Sequence, residues 1–151
     1  MKTIKHLLFS VAGCCLLAAG TAALAQETPT TAPAGVKIVE AKEAADLQKQ
    51  GAVLVDTRKA AEYSEATIKG AISVPYDPEK SAKDAKFDSA QDKFDLAKLT
   101  DKNARIVLFC NSGTCWKSYK AAVVLAKNGY KNIFWYRNGF PDWKARKLPT
   151  E

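Results

Sequence analysis

Residues 105–118 read RIVLFCNSGTCWKS, from Arg105 through Cys110 and Cys115 to Ser118. Ile106, Val107, Leu108 and Phe109 are an unbroken apolar run, the pattern of a strand covered on both faces of a parallel sheet. From Trp116 onward, Ala121, Val124 and Leu125 recur at helical spacing, which predicts a following helix. Cys110 therefore falls where a strand ends and a helix begins. Free backbone N–H groups and the positive end of the helix dipole stabilise a thiolate or an incoming oxyanion there. Asn111, Ser112 and Gly113 are small enough for the backbone to curl round the sulfur, and Gly113 can take positive φ. The stretch reads as a cradle for a reactive cysteine, with Cys110 as the expected nucleophile.

The N-terminus reads differently from the rest. Lys2, Lys5 and His6 form a basic start, Leu7 to Ala19 is mostly apolar, and Ala23-Leu24-Ala25 has the small-x-small form of a cleavage site. Residues 1–25 are predicted to be a secretory signal peptide, which implies a periplasmic location. A rival reading makes Val11-Ala12-Gly13-Cys14 a lipoprotein box, but the apolar run before Cys14 is short and the residues after it stay apolar. No later stretch is apolar enough for long enough to span a bilayer, so no membrane contact is expected after cleavage.

Cleavage changes the inventory. Loss of Lys2 and Lys5 lowers the formal charge from +7 to +5. Cys14 and Cys15 depart, leaving Cys110 and Cys115, and His6, the single histidine, departs with them. A mature chain without histidine has no Cys–His pair, Ser–His–acid triad or c-type haem attachment motif. Two cysteines alone make a poor zinc site, so neither metal nor cofactor is expected. Scattered lysines with no dense basic block suit a solvated surface with a mild pull on anions and argue against nucleic acid.

Along the mature chain, residues 26–35 (QETPTTAPAG) read as a flexible leader. Val36 to Val39 is a short strand, Glu40 to Gln50 a helix closed by Gly51, and Ala52 to Val55 a strand running into Asp56-Thr57-Arg58. Lys59 to Tyr63 is a helical turn, and Ile68 to Pro75 a turn and strand. In 76–100, Phe87, Ala90 and Phe94 stand at helical offsets, with Leu96 and Leu99 beyond, and predict one or two surface helices. Asn128-Gly129 ends the helix after Cys115, Asn132 to Tyr136 is the last strand, and Asn138-Gly139 turns into a helix over Phe140 to Ala145 carrying Trp143. Strands alternating with helices predict an α/β domain with a parallel sheet over 36–149.

Several of these stretches together resemble the rhodanese-like family. They are Val55-Asp56-Thr57-Arg58 with Glu62-Tyr63, Ile68 to Pro75, Cys110 after its apolar strand, and Gly129-Tyr130 with Tyr136 to Gly139, Trp143 and Leu148-Pro149. The resemblance implies a small doubly wound parallel sheet flanked by helices, and sulfur transfer through a cysteine persulfide. By position, Cys110 would carry the sulfur and the amides of Asn111, Ser112, Gly113, Thr114, Cys115 and Trp116 would cradle it. Lys117 would be the cation near the end of the loop, and Arg58 would border the site. The implied donor is small, such as thiosulfate or a persulfide, and the acceptor a thiol or a periplasmic redox partner.

The loop departs from the family pattern. Common single-domain members place a basic residue five positions after the cysteine and a serine six after; here Cys115 takes the first place, and Lys117 and Ser118 come two later. The longer loop is similar to that of rhodanese-fold cell-cycle phosphatases, without their arginine at its end. Cys115-Trp116 with Lys117-Ser118 and Phe134-Trp135-Tyr136 resembles an exported subgroup bearing a Cys-Trp motif, some of which accompany quinoprotein alcohol oxidation.

Three readings stay open. Cys115 resolves a Cys110 persulfide or shields Cys110 from over-oxidation; or the two cysteines cycle as a redox dithiol; or they are locked in a disulfide in a non-catalytic, partner-binding domain. An oxidising compartment and a four-residue turn both permit a Cys110–Cys115 bond. A loop so small gains little stability from it, which favours a chemical over a structural use.

Overall fold

The computed structural model describes residues 26–151; the predicted signal peptide, with His6, Cys14 and Cys15, lies outside the described residues. Five strands form one parallel sheet: β1 (Val36–Ile38), β2 (Val53–Asp56), β3 (Ile72–Ser73), β4 (Arg105–Phe109) and β5 (Asn132–Tyr136). Their spatial order is β1-β5-β4-β2-β3, so β4 stands in the middle, paired to β2 and β5 along its length. Four helices complete the α/β fold: α1 (Ala41–Lys49), α2 (Ala60–Glu65), α3 (Trp116–Lys127) and α4 (Gly139–Ala145). None is long and apolar enough to cross a membrane.

The apolar run of β4 serves two cores at once. Ile106 and Leu108 face the cluster built on α3, with Tyr119, Ala122, Leu125 and Trp135. Val107 and Phe109 face the opposite cluster, with Ala41 and Ala44 of α1 and Phe140 and Trp143 of α4. Alternating side chains of a strand point to opposite faces, so a strand with helices on both sides has no solvent face left for a polar residue. Trp135 and Trp143 are buried packing residues, and each indole N–H finds an acceptor, Ser118 Oγ and the Pro149 carbonyl.

The segment 76–100 differs from the helices expected there. It holds only two one-turn 3-10 helices, Ser89–Gln91 and Leu96–Lys98. The physical reason lies in its aspartates. Asp84, Asp88 and Asp95 each accept from the backbone N–H two residues on, at 2.7, 3.0 and 3.1 Å, and so offer the chain a turn in place of a helix. The apolar offsets that suggested a helix belong to an extended excursion: Phe87 is buried, and Phe94 bridges back to Tyr76.

Candidate active site

The carboxyl ends of the parallel strands converge on one edge, where open α/β sheets place their ligand crevices. Asp56 ends β2, Cys110 follows β4, and Arg137 follows β5. Cys110 is buried, and its carbonyl accepts from Phe140 N–H at 2.8 Å. The loop 111–115 returns to the start of α3, and Cys110 and Cys115 are joined in a disulfide with Cα atoms 6.2 Å apart. The bond closes the loop 111–115 on itself.

Within the loop, Cys115 N–H donates to Ser112 C=O at 3.0 Å, and the Ser112 and Thr114 hydroxyls are bonded at 2.8 Å. The amides of Asn111, Ser112 and Gly113 donate to no acceptor among the described residues. Gly113 does not use positive φ. Its lack of a side chain matters instead: a Cβ there would stand 2.7 Å from Nη1 of Arg137.

The remaining expected site residues are distributed round this loop. The Trp116 indole is buried, packs edge-on against Tyr119, and donates to the Gln26 carbonyl at 2.8 Å. Lys117 is paired with Asp77 at 3.3 Å. Arg58 is buried in a fork on Asp56, with Nη2–Oδ2 at 2.6 Å, and its guanidinium lies 4.3 Å from the Phe140 ring centre. Thr67 also donates to Asp56, and Arg58 to the Ala66 carbonyl, so this pair has its hydrogen bonds supplied within the protein. Arg58 floors a cleft of about 380 Å³ between Glu62 and Glu65 of α2 and Phe140 and Lys144 of α4. Asp56 Oδ1 also accepts from the Arg58 backbone N–H at 2.9 Å, which turns the chain at the end of β2.

Three contributors escaped the sequence reading. Glu62 accepts from the Asn111 side chain at 2.7 Å and ties the loop to α2. Burial works to raise the Glu62 carboxyl pKa, but the Asn111 and Lys59 hydrogen bonds and the charges of Arg58 and Lys117 outweigh it and hold it below the usual value. A depressed carboxylate favours the native state at neutral pH, and that contribution is lost as pH falls through the lowered native value. In an acid titration followed by NMR, the Asn111 side-chain amide should therefore move with a midpoint below that of an ordinary glutamate. A midpoint at or above the ordinary value would show that the tie is not made.

The second lies in the first half of residues 26–35, the segment whose composition reads as a flexible leader. Thr28 is buried, and both its N–H and its hydroxyl donate to Gly113 C=O, at 2.8 and 2.6 Å. The third is Arg137, which binds that segment and packs on Gly113. A basic residue just after the strand beside the central one was the available signal.

A five-stranded parallel sheet with a cysteine loop at the carboxyl end of its middle strand is the rhodanese fold. The Rhodanese-like domain family matches residues 40–146, and the chain belongs to that family. It is 27% identical over 115 residues to the thiosulfate sulfurtransferase GlpE of Haemophilus influenzae, covering 76% of this chain and 94% of that one. It is 32% identical to rhodanese-like domain-containing protein 14, chloroplastic, of Arabidopsis thaliana, covering 77% and 65%. Among solved structures, the BH2092 protein of Bacillus halodurans superposes with a TM-score of 0.58 at 23% identity, over 76% of each chain. A thiosulfate sulfurtransferase from Pseudomonas aeruginosa gives 0.54 at 24% identity, over 77% of this chain and 20% of that one. Membership and the relatives' names support a protein of sulfurtransferase type.

Proposed function

We propose that the chain is an exported sulfurtransferase that carries sulfur as a persulfide on Cys110, with Cys115 as resolving thiol. The observation that carries this reading is the set of loop amides, Asn111 to Gly113, left without acceptors beside a strand-end cysteine. Once a thiol reductant has opened the Cys110–Cys115 bond by disulfide exchange, leaving both cysteines as thiols and the reductant as its own disulfide, the Cys110 thiolate attacks the outer sulfur of a thiosulfate-type donor. The donor S–S bond breaks, sulfite leaves with the electron pair, and Cys110 holds the persulfide. An acceptor thiolate then takes the outer sulfur and returns Cys110 to its thiolate. Alternatively, the Cys115 thiolate attacks Sγ of Cys110 and expels sulfide. The two cysteine sulfurs give up two electrons to the departing sulfur, and the product is a Cys110–Cys115 disulfide.

The intact mass of the reduced protein before and after thiosulfate tests this. Wild type and Cys115→Ser should gain one sulfur atom, the gain persisting in Cys115→Ser, and Cys110→Ser should gain none. No gain in any form would remove sulfur transfer as the function. The disulfide itself favours a second reading, a dithiol–disulfide redox protein, which predicts a defined reduction potential that needs both cysteines and no sulfur uptake.

A further inference from the structure

Arg137 occupies an unusual place for a cation. Its side chain is mostly buried, and its Nη1, Cζ and Nη2 atoms lie 2.7, 2.8 and 3.0 Å from where a Cβ on Gly113 would stand. Gly113 belongs to the small loop that the Cys110–Cys115 bond closes, so the guanidinium is packed on the cysteine loop itself. Nε donates to Thr28 Oγ1 and the Pro29 carbonyl, both at 3.2 Å, and Nη2 to the Thr28 carbonyl at 3.0 Å. Nη2 also meets the Glu27 carboxylate at 3.3 Å, while Nη1 has no acceptor among the described residues. The other nearby cations are engaged elsewhere, Lys117 by Asp77 and Arg58 by Asp56.

The two halves of this contact differ in strength. Thr28 is buried and fixed to Gly113 by two hydrogen bonds, whereas the Glu27 side chain is 69% exposed and touches Arg137 at one nitrogen. An exposed ion pair of that kind contributes about 0–1 kcal/mol and is readily exchanged for another anion. With Glu27 displaced, Nη1 and one N–H of Nη2 form an open edge of the guanidinium that suits a planar or pyramidal oxyanion.

We propose that Arg137 is the anion-recognising residue of the cysteine loop, and that the Glu27 carboxylate is its internal ligand, displaced by the oxyanion end of the sulfur donor. The ligand class is a small sulfur oxyanion presenting its sulfonate to Arg137 and its outer sulfur to the reduced loop. This assignment deepens the persulfide reading and rests on it for the identity of the donor, but anion recognition can be measured without sulfur transfer.

The test compares alkylation of the reduced full chain, in a Cys115→Ser background, by anionic iodoacetate and neutral iodoacetamide. The ratio of the two rates isolates anion recognition from thiol reactivity and access. Arg137→Gln should lower the ratio about tenfold, Arg137→Lys should hold it within about twofold, and Glu27→Gln should raise it about threefold. An unchanged ratio in Arg137→Gln with a native melting curve overturns the role of Arg137. If that variant does not fold, Arg137→Lys is read in its place, and a fall of about tenfold there overturns the role, because that substitution keeps the charge. An unchanged ratio in Glu27→Gln overturns the internal ligand. A shifted ratio without sulfur uptake from thiosulfate would refute the persulfide reading while leaving the anion site standing. Sulfur uptake with an unshifted ratio would do the reverse.

Discussion

Gly139→Ala should cost on the order of 3–5 kcal/mol of stability and slow persulfide formation about 100-fold. Two effects coincide at this glycine. Its φ is +70°, a conformation that costs an L-residue about 1–2 kcal/mol. A Cβ there would also run into the Cys110 carbonyl oxygen, and would stand 2.9 Å from the Cys110 carbonyl carbon and 3.0 Å from that of Asn111. These are backbone atoms held between β4 and the cysteine loop, so no side chain can swing away. Relief requires moving Cys110, which would also strain the Phe140 N–H···O=C bond that seats α4 beneath the loop. Gly129→Ala supplies the control. Gly129 has φ +84° but nothing within 4 Å of a Cβ, so only the backbone cost, about 1–2 kcal/mol, should appear. Urea unfolding of the oxidised variants, with thiosulfate uptake by their reduced forms, checks both. Equal destabilisation of the two would mean that the approach to Cys110 is not what Gly139 provides.

How far such features could be read in advance depended on what kind of signal they leave. The central strand declared itself because burial on both faces forces four consecutive apolar residues, Ile106 to Phe109, and α3 because one helix face packs on that strand. Cys110 was legible as a consequence, being the residue where those patterns meet. Asn138-Gly139 was legible as a turn, but not as the point where the chain touches the cysteine, since proximity leaves no local pattern. The same holds for Arg137 and Glu62, whose roles come from the elements on either side of the loop in space.

Residues 26–35 and 76–100 carry signals of a different kind. Threonine and proline in the first indicate a chain without regular structure, which is true, yet Thr28 is fixed through its own backbone to Gly113. In the second, the helical offsets of Phe87, Ala90 and Phe94 were outweighed by aspartates that turn the chain locally. Periodicity reports which residues face inward, and there the inward-facing residues sit on turns.

That second segment is held by the other substitution with a large expected effect. Lys120→Met should cost about 3–5 kcal/mol, because it removes one partner of a buried ionic cluster and leaves the others charged. Lys120 is fully buried on α3, with Nζ 2.9 Å from Ser81 Oγ and 3.1 Å from the Ser81 carbonyl. Glu79 Oε1 lies 2.9 Å from the ammonium without a hydrogen bond of its own, and Asp92 Oδ2 lies at 3.8 Å. Asp92 has other support from Tyr76 and from the amides of Lys80 and Ser81, whereas Glu79 depends on the lysine. Adding Glu79→Gln to Lys120→Met should therefore recover more stability than adding Asp92→Asn. Burial works to raise the Asp92 pKa, but the Ser81, Tyr76 and Lys80 hydrogen bonds hold it low. Its contribution is thus present at neutral pH and lost as pH falls through the lowered native value. Acidification should loosen the same segment that Lys120→Met loosens, and hydrogen exchange should show both as faster exchange across 77–94. Asp77 in this segment pairs with Lys117 in the first turn of α3, directly after Cys115. Loosening confined to 77–94, with no change in exchange at 115–118, would separate the clamp from the cysteine loop; faster exchange in both would join them.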